Sequence, residues 1–144
     1  MRMLSAVLAV ALVPATVVAQ TNRWERQVQD QLRRTLTTIG VDARERPTAT
    51  KTGTLNVEES EWFTVTLSAG VHYSIVGVCD NDCARLQLVL TTPDRNELAV
   101  DRRGENFPVV RFTSPETRVF RVKVVMDACL VSPCWYGVAV VERE

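Results

Sequence analysis

From Thr52 onward apolar residues recur at every second position, and that period restricts this part of the chain to strands that each turn one face to a core. Phe63, Val65 and Leu67 alternate with Trp62, Thr64 and Thr66, and Val71, Tyr73 and Ile75 alternate with His72 and Ser74. The same step carries Leu86, Leu88 and Leu90, then Phe120, Val122, Val124 and Met126, and finally Tyr136, Val138 and Val140. Turn-forming residues fall between the runs, at Ser68-Ala69-Gly70, Asp80-Asn81-Asp82, Pro93-Asp94-Arg95-Asn96, Arg103-Gly104 and Ser114-Pro115. About eight short strands at this spacing predict an all-β fold, an antiparallel β-sandwich of jelly-roll-like form over residues 52–144.

The period upstream is different. Trp24, Val28, Leu32, Leu36 and Ile39 recur at steps of three and four, so residues 20–41 are expected to hold one amphipathic helix, opened by Asn22 with Glu25 and stopped by Gly40. A lone helix of this length is marginal in water. It must dock, either on its own β-domain or, through residues 22–39, on a second copy in a homodimer. Residues 42–51 are polar, contain Pro47 and read as a linker. Ahead of the helix, Arg2, the apolar stretch Leu4 to Ala15 and the small-residue pattern Val17-Val18-Ala19 read as a signal peptide over 1–19, cleaved before Gln20. The stretch is short for a bilayer span, so no stable membrane insertion is expected once it is removed. A secreted or periplasmic location follows.

Four cysteines lie at strand ends, in Cys79-Asp80-Asn81-Asp82-Cys83 and Cys129-Leu130-Val131-Ser132-Pro133-Cys134. Behind an export signal they are expected as two disulfides, whereas in a reducing cytosol the same spacing would suggest a four-thiolate zinc site. Four cysteines allow three pairings, and the spacing does not choose among them. The local pairs are favoured because each would tie off one hairpin tip.

The stretch from Gly53 to Val141 resembles the bacterial pre-peptidase C-terminal domain family. The residues that carry the resemblance are Phe63 to Gly70, Tyr73 to Cys83, Leu86 to Leu90, Asp101, Pro108-Val109-Val110, Pro115, Phe120-Arg121-Val122, Met126, Cys129, and Pro133 to Val138. The resemblance implies a β-sandwich without catalysis of its own, serving secretion or binding outside the cell. Where relatives carry acidic residues after the second cysteine, this chain has Arg85 and Gln87.

The remaining chemistry is sparse. With 17 basic and 17 acidic side chains, bulk charge gives no reason to bind nucleic acid. His72 is the only histidine, which excludes a His-rich zinc site. It would be the base of a small hydrolase only if a nucleophile were held beside it, and Ser68, Ser74, Ser114 and Ser132 have no nucleophile motif around them. Glu58, Glu59 and Glu61 precede a strand and read as a solvated loop rather than a pair of opposed catalytic carboxylates. No cofactor is implied beyond calcium, for which Asp80, Asp82 and Asp101 are the candidate ligands if their loops converge. Arg85, Arg121, Lys123 and Trp135 are the candidate binding residues: on the outward face of one sheet they would combine cations with an aromatic plate suited to a sugar acid or a protein carboxylate. The expected function is therefore a non-catalytic binding or accessory module for an envelope or extracellular protein or glycan. A calcium-dependent module and a hydrolase are the alternatives.

Overall fold

A computed structural model describes residues 23–42 and 46–143. The expected signal segment lies outside them, as does Asn22. The described elements run α1 (Arg23–Thr38), β1 (Ala49–Leu55), β2 (Ser60–Leu67), β3 (His72–Cys79), β4 (Cys83–Thr91), β5 (Glu97–Asp101), β6 (Val109–Thr113), β7 (Arg118–Cys129) and β8 (Cys134–Arg143). They form two four-stranded sheets, ordered β1-β8-β3-β6 and β2-β7-β4-β5, and every pairing is antiparallel. Apart from the β4–β5 hairpin, consecutive strands therefore cross between sheets, which makes a jelly roll rather than a stack of hairpins. β1 begins at Ala49, inside the stretch expected to be linker, because Thr48 and Ala49 continue the ladder along Val140.

The alternating positions supply the core. Val65 and Leu67 of β2, Leu86, Leu88 and Leu90 of β4, Phe120, Val122, Val124 and Met126 of β7, and Tyr136, Val138 and Val140 of β8 point between the sheets and are buried. Phe112 meets Phe120 edge to face there, with ring centroids 5.4 Å apart.

Two central strands depart from simple alternation. In β3 the run Tyr73 to Cys79 is buried throughout, and in β8 so is Tyr136 to Val141. The second face of both strands is covered by α1. Val28, Leu32 and Leu36 of the helix pack on Val76, Val78, Ala139 and Val141, with Val41, Ile39 and Trp135 at the margin. The stripe read from the sequence is thus engaged in cis with the chain's own sheet. Gly137 is the seat of the helix: a Cβ there would lie 2.7 Å from Val28 Cγ1.

The helix ends as its sequence requires. Gly40 takes a φ of 86°, Val41 donates to the Leu36 carbonyl at 3.0 Å and Gly40 to that of Thr37 at 3.1 Å. Arg143 donates from its guanidinium to the Ile39 carbonyl, tying the helix end to the last strand.

Candidate functional site

Among the described residues, no helix covers the outer face of the β2-β7-β4-β5 sheet. Because Phe63, Val65, Val122, Val124 and Leu88 turn inward, the intervening Trp62, Thr64, Arg121, Lys123 and Gln87 point out. Trp62 is the cross-strand partner of Lys123, and Thr64 that of Arg121. This register gathers cations on one indole. The Arg121 guanidinium lies 4.6 Å from the Trp62 ring centroid, the Lys123 ammonium 5.5 Å and the Arg95 guanidinium 6.0 Å.

Arg95 arrives from the β4–β5 turn, where it holds a φ of 70°, a conformation that costs a non-glycine residue about 1 kcal/mol or more. Thr92 fastens that turn: its carbonyl accepts from Arg95 N–H at 3.0 Å, its N–H donates to the Asn96 carbonyl at 3.0 Å, and its hydroxyl accepts from Asn96 N–H at 3.1 Å. None of the three cations forms an ion pair among the described residues, whereas Arg85, Arg102, Arg103 and Arg118 all do. The nearby Glu97 is engaged by Arg102. The result is a fixed group of three positive charges without an ion-pair partner on an open sheet, with the Arg102-bound Glu97 close enough to feel Lys123. An anion arriving there would find donors already held in place by the indole.

Of the binding residues expected from the sequence, Arg121 and Lys123 meet at this patch. Arg85 shares the face but sits toward its other end, where its Nε pairs with Asp127 Oδ2 at 2.6 Å. Trp135 does not belong to the patch. It lies on β8 of the opposite sheet, where Tyr136, Val138 and Val140 point inward and so turn Trp135 out toward α1. The aromatic plate is Trp62 instead. Its signal was present in the sequence as an outward position two residues before Thr64, but only the β2–β7 pairing shows that it faces Lys123.

Of the candidate calcium ligands, Asp80 and Asp82 share the β3–β4 turn and Asp101 ends β5. Asp101, at the end of β5, is spent on its neighbours: Oδ1 accepts from the Arg103 backbone N–H and Nε at 3.1 and 3.0 Å, and Oδ2 from Arg103 Nη2 and Val109 N–H at 2.7 and 2.9 Å. The Arg103 guanidinium, with those backbone donors, holds its carboxyl down at about 2. Asp80 is buried in the β3–β4 turn, where Oδ2 accepts from Trp135 N–H at 2.8 Å and Oδ1 has no hydrogen-bond partner among the described residues. Burial raises its pKa. Asp82 lies in the same turn, and among the described residues no three acidic or metal-ligating side chains form a group that could hold an ion.

His72 is exposed at the start of β3, and its Nδ1 meets Thr113 Oγ1 at 2.5 Å. Glu61 corrects the expectation of a solvated loop. Its Oε2 accepts from the Tyr136 hydroxyl at 2.5 Å and its Oε1 pairs with Lys51 Nζ at 2.7 Å. Both disulfides are the local ones, Cys79 with Cys83 and Cys129 with Cys134.

No family model matches the sequence, and no curated protein does. Among solved structures, the pre-peptidase C-terminal domain of the collagenase from Bacillus anthracis is similar, with 14% identity and a TM-score of 0.52 over 65% of this chain and 89% of that one. The periplasmic g-type lysozyme inhibitor PliG of Aeromonas hydrophila is a second neighbour, at 13% identity and a TM-score of 0.47, covering 71% of this chain and 91% of that chain. The first likeness shows the fold alone, a two-sheet β-sandwich similar to that of the pre-peptidase C-terminal domain. The second is too distant to bear on the argument.

Proposed function

We propose that this chain is a non-catalytic binding module that works outside the cytoplasm and holds an acidic partner on the outer face of its β2-β7-β4-β5 sheet. One observation carries the reading: Arg95, Arg121 and Lys123 converge on Trp62, and none of them forms an ion pair among the described residues. A flat sheet face suits an extended polymer better than a small molecule, which would seek a concave site. Repeated carboxylates or sulfates along a polysaccharide would meet the three cations in turn, and the Trp62 indole offers apolar area for a sugar ring. The two disulfides support residence in an oxidising compartment, as does the segment read as a signal peptide.

The enzymatic alternative has less support. His72, its proposed base, is exposed with Thr113 as its neighbour. Titration of the protein with polygalacturonate, heparin and neutral dextran is the test. Binding to the acidic polymers alone is expected, weakening as salt is raised and falling at least about tenfold in R121A/K123A. Equal binding to dextran, or binding indifferent to the double substitution, would refute the proposal.

A further inference from the structure

The loops joining β1 to β2, β3 to β4 and β7 to β8 meet at one pole of the sandwich, away from the Trp62 patch. Leu55 is paired with Cys134 and Cys83 with Cys129. Across the loops, Leu130 N–H donates to the Asp82 carbonyl at 2.7 Å and Val57 N–H to Ser132 Oγ at 3.3 Å. At this junction stand the two most exposed large apolar side chains of the described residues, Leu130 at 78% and Val131 at 64%, with the exposed Val57 beside them. Isolated apolar residues on a surface are ordinary, but three gathered on one tip are not.

The tip is also held in shape. The Cys129–Cys134 bridge closes the loop, and the two cross-loop hydrogen bonds brace it from either side. A projection ordered in advance gives up little conformational freedom when it is buried by a partner.

Its charge selects the partner. The three loops carry Glu58, Glu59, Asp80 and Asp82 and no Lys or Arg, with Glu58 and Glu59 exposed beside Val57. An apolar tip meant for an anionic membrane would be flanked by cations, and this one is flanked by acids. We infer that the Cys129–Cys134 loop is a protein-docking finger that inserts Leu130 and Val131 into an apolar cleft rimmed by Lys or Arg on a partner protein.

The test places a photoreactive phenylalanine analogue at position 131, or at position 72 as control, and irradiates the full chain with envelope extract of the source cell. An adduct formed at 131 and not at 72 is identified by mass, and that protein is purified for titration. Insertion predicts about a hundredfold weaker binding for L130S/V131S, several-fold weaker binding for E58K/E59K, and little change for R33A, an exposed side chain of α1. Both loop variants alter exposed side chains and are checked for an unchanged melting temperature. The inference is overturned if no adduct is specific to position 131, if the purified protein binds L130S/V131S as tightly as the parent, or if the parent sediments with vesicles of three parts phosphatidylcholine to one part phosphatidylglycerol and L130S/V131S does not.

Discussion

The Tyr136 hydroxyl donates to Glu61 Oε2 at 2.5 Å, joining the two sheets through the core edge. Tyr136 is fully buried, and Gly53, its cross-strand neighbour, leaves room for the phenol: a Cβ at Gly53 would stand 3.1 Å from both Cε1 and the hydroxyl of Tyr136. Lys51 and then Tyr136 hold the Glu61 carboxyl below its ordinary value, while burial, with Glu61 beside it, pushes the phenol up.

Removing that bond tests its worth. Tyr136→Phe should lower stability by about 1 kcal/mol, the net value of a hydrogen bond whose acceptor keeps some access to water. Urea unfolding of the two proteins measures it. An unchanged midpoint would mean that the contact between the sheets is apolar only.

Acid should weaken the fold through Asp101. Its carboxyl titrates at about 2 in the folded chain against about 4 unfolded, so its contribution is present above pH 4 and is lost as pH falls toward 2. That contribution is about 2 kcal/mol at most, since Arg103 is exposed and screened by salt. Asp80 works in the opposite direction: its raised pKa lets the folded chain take up a proton first, and its penalty fades on acidification. Unfolding midpoints between pH 5 and pH 2 should therefore fall less steeply in Asp101→Asn than in the parent, and a parallel decline in both would contradict the assignment.

Helix docking depends on the absence of a side chain at Gly137. Gly137→Ala should cost about 1–3 kcal/mol, because Val28 Cγ1 would be 2.7 Å from the new methyl group and must move. Val28→Ala in the same chain removes the clash, so the double variant should be less destabilised than the two single changes added together. Strict additivity would show that the helix does not rest on Gly137.

The disulfides shape loops more than they hold the core. Each closes only a few residues, so replacing either pair by serine should cost about 2 kcal/mol and leave a cooperative unfolding transition. Loss of that transition in the C79S/C83S protein would show that Asp80 and its turn are part of the folding unit.

Much of the architecture was legible because period two is a local property. Leu86, Leu88 and Leu90 announce a strand without reference to any other part of the chain, and Val28, Leu32 and Leu36 announce a helix. The docking site of that helix was also written in the chain, in the unbroken apolar runs Ile75-Val76-Gly77-Val78 and Val138-Ala139-Val140-Val141. Strands that carry apolar groups on both faces need a cover on each side. The candidate site was less accessible, since which strands become neighbours is a long-range outcome. Arg121 and Lys123 could be assigned to an outward face from their own strand alone. Trp62 could be placed beside them, and Trp135 removed, only once β2 was known to pair with β7 and β8 to lie in the other sheet. The raised pKa of Asp80 depended on burial that only the packed fold creates, whereas the chief partner of Asp101, Arg103, lies two residues along the chain.

The helix gives the sandwich a front and a back. With α1 seated over β3 and β8, one broad side is closed, and the cationic side looks the opposite way. A preparation fixed to a bead or sensor through the helix side would present its arginines and lysine to the solution. Fixing it through amines instead would capture Lys123 itself and silence the surface under study, so the choice of attachment decides whether any ligand is seen.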